Sequence, residues 1–470
     1  MHEACGVVGL VFNNQESEKA ALPIYYALYA LQHRGQESTG ITVHDGKKAQ
    51  TLKGMGLVPD VFKKYNISDL KGFVGIGHVR YSTTGGSTPE NIQPLIVNFR
   101  DGKLAIGHNG NLVNSAALRA EFEAEGQIFL TSSDTEVISH LLVKELLKND
   151  IIDAVKVLMK RLVGSYSLTI LIDDTLVVVR DPLGFKPLCF GEFDGGYVVA
   201  SESVAIDTLG GKLIRDVHPG EVIIFKDGTY KSYQLSKTKN TAHCVFEYIY
   251  FARPDSIIDG RLVYQTRIRI GEKLLEEHPV EADVISPVPD SGITFAIGYS
   301  KKSNIDYIEG LMKNRYIGRT FIMPGQELRE TAVRLKLNTI QQNLENKKVI
   351  LMDDSIVRGT TSHRIVDMVR KAGAREVHMR IGSPAIISPC YLGIDMASRD
   401  ELVAAHKTVA GVEALINVDS LGYVSVKGLV EAVGIPEEDL CLGCFTGVYP
   451  VEIPGEKCKR HQMTLNQFDH

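Results

Sequence analysis

The fifth residue of this chain is a cysteine followed by Gly-Val-Val-Gly, and removal of residues 1–4 would make its thiol the side chain of an N-terminal residue. A thiol beside a free α-amine carries its own general base, so one residue can act as nucleophile and proton acceptor. Taken alone, a cysteine near the start of a chain is more often a small buried apolar residue. Four polar strings follow it: Leu31-Gln32-His33-Arg34-Gly35-Gln36-Glu37-Ser38, Gly77-His78-Val79-Arg80-Tyr81-Ser82-Thr83, His108-Asn109-Gly110-Asn111 and Ser132-Ser133-Asp134-Thr135-Glu136. Each stands at the end of an apolar strand-like run or at the entry to a helix, where functional side chains are often presented. Simpler readings exist for three of them. Asp134 could cap a helix with the apolar stripe Val137, Ile138, Leu141, Leu142 and Leu146. Asn109-Gly110 could be a two-residue hairpin turn, and Arg80 a surface ion-pair residue.

A second string with chemistry in it runs Val349-Ile-Leu-Met-Asp353-Asp354-Ser-Ile-Val-Arg358-Gly359-Thr360-Thr361. An apolar strand here delivers two carboxylates to its C-terminal edge, ahead of a Gly/Thr loop that opens a helix. Carboxylates accept hydrogen bonds from vicinal ribose hydroxyls, while loop N–H and hydroxyl groups surround a phosphate at the positive end of a helix. As an ordinary surface feature the pair would be a helix cap, with Arg358 a solvated charge.

The elements that must position these residues differ between the two halves. Strand-like runs fall at 6–12, 39–44, 74–80, 104–108, 168–172, 176–180, 198–201 and 221–225, with helical stretches around 20–32 and 135–147. Many short strands with few helices predict stacked antiparallel sheets flanked by helices. The polar, aperiodic stretch 235–241 marks a boundary. Beyond it strand and helix alternate: a strand at 282–288 ends in the turn Pro289-Asp290-Ser291-Gly292. One at 348–352 leads through the aspartate pair to a helix at 362–371 and a strand at 376–381, which predicts a βαβ unit in a parallel sheet.

With 470 residues the chain fits two domains, and 44% hydrophobic with 23% charged residues is ordinary for a globular protein. A net charge of −5 and the lack of a basic stretch give no reason to expect nucleic acid or an anionic membrane. The first residues include Glu3 and no basic n-region, so 1–4 reads as a very short propeptide and not a secretory signal. Seven cysteines without an export signal imply a reducing, cytoplasmic setting. Cys441 and Cys444 form a C-x-x-C pair, open among zinc, dithiol and iron–sulfur roles, with Cys244 and Cys390 far upstream.

Cys5 and its four strings resemble the glutaminase domain of the class II amidotransferases, which are N-terminal-nucleophile (Ntn) hydrolases of αββα build. The resemblance implies that Cys5 attacks the glutamine side-chain amide, that Asn109 and the Gly110 N–H form the oxyanion hole, and that Arg80 and Asp134 bind the α-carboxylate and α-ammonium of glutamine. The Asp353–Thr361 string resembles the phosphoribosylpyrophosphate (PRPP) signature of type I phosphoribosyltransferases. It implies that Asp353 and Asp354 bind ribose and the Mg²⁺ shell, with Gly359, Thr360, Thr361 and Ser362 around the 5′-phosphate and Arg358 also among the PRPP-binding residues. The Pro289–Gly292 turn would be the pyrophosphate loop. Many relatives carry a hydroxyl ligand to Mg²⁺ where this chain has Gly292, leaving Ser291 as the substitute. A basic segment, Lys313, Arg315, Tyr316, Gly318, Arg319 and Thr320 with Arg329, Arg334 and Lys336 beyond, reads as a lid over the leaving group.

The two domains, 5–236 and 242–470, together resemble the glutamine-dependent amidotransferases that act on PRPP. For such a family the implied reaction takes glutamine and PRPP to 5-phosphoribosylamine, glutamate and pyrophosphate, at the start of purine synthesis. AMP, GMP, ADP or GDP would act as feedback inhibitors near Asp353–Thr361, and a homotetramer is implied by analogy. Cys244, Cys390, Cys441 and Cys444 fall on the ligand positions of relatives that carry a [4Fe-4S] cluster, with zinc as the chemical rival. Cys189 reads as a buried strand residue and Cys458 as a bystander. A hexosamine synthase would lack the PRPP string, and a salvage phosphoribosyltransferase would lack the glutaminase residues.

Overall fold

In the strand Gly6–Phe12, Val7 and Val11 belong to one buried cluster while Val8 and Leu10 belong to another. Successive side chains of a strand point to opposite faces, so both faces of this strand are covered and its sequence is apolar without alternation. The same holds for Thr175–Arg180, where Leu176 and Val178 face one cluster and Val177 and Val179 the other. In the computed structural model, residues 5–15, 17–81, 86–314, 337–396 and 398–456 are described. Residues 1–4, Ser82, Thr83, the segment containing Arg315, Tyr316, Gly318, Arg319, Thr320, Arg329, Arg334 and Lys336, and Cys458 lie outside them.

Seven antiparallel strands form one sheet in the order Lys212–Asp216, Cys189–Phe193, Gly196–Ala200, Gly6–Phe12, Val74–Arg80, Ser38–His44, Ala49–Met55. Six form the second, in the order Thr229–Gln234, Glu221–Lys226, Thr175–Arg180, Gly164–Ile172, Gly102–Leu112, Leu95–Phe99. Val7, Val11, Ile76, Leu176, Val178 and Ile223 pack between them. Helices Ala21–Ala30, Val58–Phe62 and Ser203–Thr208 cover the first sheet, and Ser115–Ala124, Asp134–Leu146 and Ile151–Arg161 the second. This is the four-layer αββα sandwich that the resemblance implied.

The last of these strands ends at Gln234, and the next, His243–Cys244, pairs in parallel with Leu440–Cys441 near the end of the described chain. Between them lies the second core, a five-stranded sheet in the order Asp306–Tyr307, Val284–Pro287, Lys348–Asp353, Glu376–Ile381, Ser420–Tyr423, parallel throughout. Ile350 and Met352 face a cluster that includes Ile270, Leu274, Phe295 and Tyr299 of helices Val263–Glu277 and Ile293–Ser303. Val349 and Leu351 face Ile365, Val366 and Val369 of the helix Thr360–Lys371. The first two helices approach closely at Gly271 and Gly298, where a Cβ would stand 2.1 Å from the Phe295 and Ile268 carbonyl oxygens respectively.

Between the two sheets of the sandwich the buried His78 ring meets the His108 carbonyl through Nε2 at 2.9 Å. Burial pushes the His78 pKa down to about 3, against the pull of that carbonyl, and the Arg80 charge adds to the depression. The unfolded chain therefore binds a proton near pH 6.5 that the folded chain refuses until about pH 3. The stabilisation is complete above pH 6.5 and is lost as pH falls, by up to about 1.4 kcal/mol per pH unit for one proton. Urea unfolding at pH 7.5 and pH 5 should show this loss, and a His78→Asn variant should show a shallower one; equal slopes in the two proteins would contradict the assignment.

Candidate active site

Cys5 immediately precedes the strand Gly6–Phe12, and the register of Gly6 against Val79 sets it beside Arg80 at the end of the neighbouring strand. Its thiol donates to the Tyr81 carbonyl at 3.3 Å. Burial pushes the thiol pKa up, and the Arg80 guanidinium is the first influence opposing it. Arg80 is itself buried, 3.7 Å from Glu37, and donates to the Gly86 carbonyl at 3.2 Å. It is therefore no surface ion-pair residue.

Asn109 and Gly110 lie inside the strand Gly102–Leu112, opposite Ser167 and Tyr166, so the hairpin-turn reading is wrong. The Asn109 side chain is fully buried, and neither its Nδ2 nor its Oδ1 has a hydrogen-bond partner among the described residues. Such an unmet amide costs about 1–3 kcal/mol and calls for an explanation; a donor kept free for a ligand oxygen supplies one. Gly110 has φ +153°, and a Cβ there would stand 2.1 Å from the Ser165 carbonyl oxygen, so only glycine fits.

Asp134 is the first residue of the helix Asp134–Leu146, but the cap is Ser133, whose hydroxyl accepts from the Thr135 N–H at 3.2 Å. The Asp134 carboxylate instead accepts from the Leu112 N–H at 2.9 Å and stands 3.5 Å from His108 Nδ1. Burial works to raise its pKa, but His108 and these hydrogen bonds prevail and hold it below the usual carboxylate value. An ionised, buried carboxylate in this position suits an ammonium group.

Sequence reasoning assigned no role to the ion cluster behind Cys5. Arg34, wholly buried, donates through Nε to the Cys5 carbonyl at 3.1 Å, through Nη1 to Glu202 at 2.6 Å, and through both Nη atoms to Glu247 at 2.8 Å. Lys186 Nζ stands 3.6 Å from Glu247. Glu202 and Glu247 lie 168 and 213 residues from Arg34 in sequence, and no local pattern signals their convergence.

In the second domain Asp353 and Asp354 lie at the C-terminal edge of the strand Lys348–Asp353, both buried. The Asp354 N–H donates to Asp353 Oδ1 at 2.9 Å, and the Ser291 hydroxyl reaches the same oxygen at 3.5 Å. Burial, and then the neighbouring Asp354 charge, pushes the Asp353 pKa well above the carboxylate range. A Cβ on Gly292 would lie 2.0 Å from the Met352 carbonyl oxygen, so this backbone has no room for a hydroxyl side chain there. Gly359 takes φ +76° and precedes the helix Thr360–Lys371, whose N-terminus no side chain caps. Thr360 and Thr361 are exposed on that first turn and Ser362 is buried. Arg358 pairs with Glu401 at 2.8 Å on the outer side of the loop. Arg267, missed in the sequence, donates to the Tyr248 and Ala252 carbonyls at 2.8 Å; burial lowers its pKa to about 10, and Asp354 is the first charge offsetting this.

Cys244, Cys390, Cys441 and Cys444 line one pocket with Phe185, Leu392, Ile394 and Tyr449. Cys244 and Cys441 are cross-strand partners, and the Leu392 N–H donates to Cys390 Sγ at 3.3 Å. All four are free thiols, as is Cys189, buried far off in the first sheet. Among the described residues no three His, Cys, Asp or Glu side chains are arranged to hold a single metal ion. A multi-iron cluster, gripped from its outside, suits thiols that face one pocket without meeting at one point.

A family described as the glutamine amidotransferase domain matches residues 78–208. The chain is 54% identical to the amidophosphoribosyltransferase of Methanocaldococcus jannaschii, with 96% of this chain and 99% of that protein covered. It is 56% identical to that of Archaeoglobus fulgidus, over 97% of this chain and 100% of that protein. The chain belongs to the amidophosphoribosyltransferase family. A solved structure of the Bacillus subtilis glutamine PRPP amidotransferase, complexed with ADP and GMP, superimposes with a TM-score of 0.90 at 45% identity, over 96% of this chain and 99% of that one. Both halves of the amidophosphoribosyltransferase fold are thus present. No helix among the described residues is long and apolar enough to cross a membrane.

Removing the free Asn109 amide should test the first centre directly. Asn109→Ala should lower kcat for glutamine hydrolysis about 10²–10³-fold while leaving the thermal unfolding midpoint no lower than that of the parent protein. A loss confined to the KM for glutamine would assign the amide to substrate binding instead.

Proposed function

We propose that the chain, once residues 1–4 are removed, hydrolyses glutamine at Cys5 and delivers the ammonia to PRPP, giving 5-phosphoribosylamine, glutamate and pyrophosphate. The observation that carries this reading is the buried Asn109 amide, without a hydrogen-bond partner among the described residues, on the strand across from Cys5, in a chain whose second domain presents Asp353 and Asp354 at a strand edge. Arg80 holds the glutamine α-carboxylate as a fork, and Asp134 holds the α-ammonium. The Cys5 thiol passes its proton to the adjacent α-amine as sulfur attacks the side-chain amide. Asn109 Nδ2 and the Gly110 N–H receive the developing oxyanion, ammonia leaves, and water releases glutamate from the thioester.

In the second domain Asp353 and Asp354 accept hydrogen bonds from the ribose hydroxyls of PRPP. Gly359, Thr360, Thr361 and Ser362 surround its 5′-phosphate at the uncapped helix N-terminus, with Arg358 at the rim. Asp353 and Asp354, with Ser291 and not Gly292 as the nearby hydroxyl, would hold Mg²⁺, which would supply charge neutralisation on the pyrophosphate. Ammonia attacks C1 on the face opposite the leaving group, which inverts that centre to the β-amine. Water must be kept out, since the activated sugar is otherwise hydrolysed.

Cys244, Cys390, Cys441 and Cys444, which line one pocket, would hold a [4Fe-4S] cluster, and it would supply a covalent tie between the chain near Cys244, the Cys390 loop and the Cys441–Cys444 segment. The reading extends to feedback by AMP, GMP, ADP or GDP at the PRPP loop, supported by the ADP and GMP bound to the Bacillus subtilis relative, and to a homotetramer.

Glutamate release from glutamine should rise several-fold when PRPP is added; equal rates with and without it would break the proposed coupling. Native mass measurement of the purified protein should give a chain starting at Cys5 and carrying four irons and four sulfides. A chain that keeps Met1 and is fully active with glutamine would refute the nucleophile assignment.

A further inference from the structure

We propose that Glu247, a residue of the second domain, is a positioning residue for the glutamine half-reaction: it holds the Arg34 guanidinium, and Arg34 holds the carbonyl of Cys5. The inference rests on the glutaminase reading above and adds to it a residue from outside the glutaminase fold. Cys5 as an N-terminal residue would have a single peptide bond, to Gly6. Gly6 on one side of that peptide is paired with Val79 in the sheet, and the Cys5 carbonyl on the other is held by the hydrogen bond from Arg34 Nε at 3.1 Å. The thiol adds only its own contact to the Tyr81 carbonyl.

Arg34 in turn cannot fix its own angle. Glu247 accepts from Nη1 through Oε2 and from Nη2 through Oε1, both at 2.8 Å, a bidentate pairing that sets the plane of the guanidinium. Among the described residues it is the only acceptor for Nη2. Glu202 bonds Nη1 alone, and its own oxygens are shared with His33 Nε2, the Arg253 N–H and the Ser256 hydroxyl. Without Glu247 the guanidinium would pivot on Glu202 and carry Nε away from the Cys5 carbonyl. Lys186 adds a second cation near Glu247: its buried ammonium lies 3.6 Å from Oε1, has no hydrogen-bond partner among the described residues, and sits over the Phe251 ring. All four charged side chains are essentially excluded from solvent, so their geometry is set by one another and not by water.

The test is Glu247→Gln, which keeps the shape and loses the charge and one of the two acceptors. Three quantities are compared with the parent protein: kcat and KM for glutamine hydrolysis, PRPP-dependent synthesis from ammonium chloride in place of glutamine, and iron per chain. The expected result is a fall in glutamine kcat of about tenfold or more, as for a nucleophile displaced by a fraction of an ångström. KM for glutamine, ammonia-dependent synthesis and iron content should each stay within about twofold. Glutamine kcat within about twofold of the parent overturns the proposal, and so does a parallel fall in ammonia-dependent synthesis or a loss of iron, which would make Glu247 a general structural residue. Should Glu247→Gln fail to accumulate, Glu247→Asp keeps the charge and withdraws it by one methylene. It should show a smaller kcat loss with ammonia-dependent synthesis intact, and undiminished glutamine kcat in that variant is equally fatal. A parent protein that does not hydrolyse glutamine would overturn the glutaminase reading itself, a result distinct from any of these.

Discussion

A guanidinium with no exposure to solvent sits between the two domains, and much of the molecule is arranged around that fact. Burying an arginine is tolerable only if carboxylates and carbonyls meet its donors in good geometry. Arg34 meets this with Glu202, Glu247 and the Cys5 carbonyl. Burial alone would lower its pKa, yet Glu247 and Glu202 more than reverse this and fix the charge. Glu202 mirrors the effect: burial works to raise its pKa, while His33 and Arg34 hold it far below the usual carboxylate value. The cluster is satisfied only when the domains meet in one relative position.

Other contacts repeat the theme at the same interface. Arg180, at the end of its strand, donates to Asp259 at 2.8 Å and to the Val217 and Lys186 carbonyls. The loop carrying Cys390 reaches into the sandwich: Ser165 donates to the Leu392 carbonyl at 2.8 Å and Asn111 to the Tyr391 carbonyl at 2.9 Å. A Cβ on Gly393 would stand 3.1 Å from the Gly110 backbone. The pocket of four thiols is therefore packed against the strand that carries Asn109 and Gly110, and the segment opened by Glu247 runs on to the carbonyls held by Arg267, whose charge Asp354 offsets. Both candidate centres share their walls with the interface.

The two centres also hold polar groups that the protein itself does not balance. The Asn109 amide has no hydrogen-bond partner among the described residues, and Asp353 and Asp354 crowd two carboxyls into a buried strand edge. A core selected for stability alone would contain neither. On the proposed reading, each would become favourable once an oxyanion or a cation-bearing sugar phosphate is bound.

Local order was largely readable from the residues. The strands at 6–12 and 74–80, the strand-loop-helix from Lys348 to Lys371 and the strand Glu376–Ile381 follow from apolar runs and turn residues. The helix Ile151–Arg161 was legible too, through its Asp150 cap and the stripe Ala154, Val155, Leu158 and Met159, but went unread. Residue type fixed the chemistry open to Cys5, to Asn109 and to the aspartate pair, because a thiol, an amide and two carboxylates can do few things. Tertiary structure decided which of those things is available. It placed Asn109-Gly110 within a strand and not a turn, gave the helix cap to Ser133 and turned Asp134 to the Leu112 N–H and His108, and drew four thiols scattered over 200 residues into one pocket. It alone brought Glu247 to Arg34. Hydrophobic periodicity reports which face of a segment is buried, but partners across a domain boundary are chosen by packing and charge in three dimensions, and no local pattern encodes them.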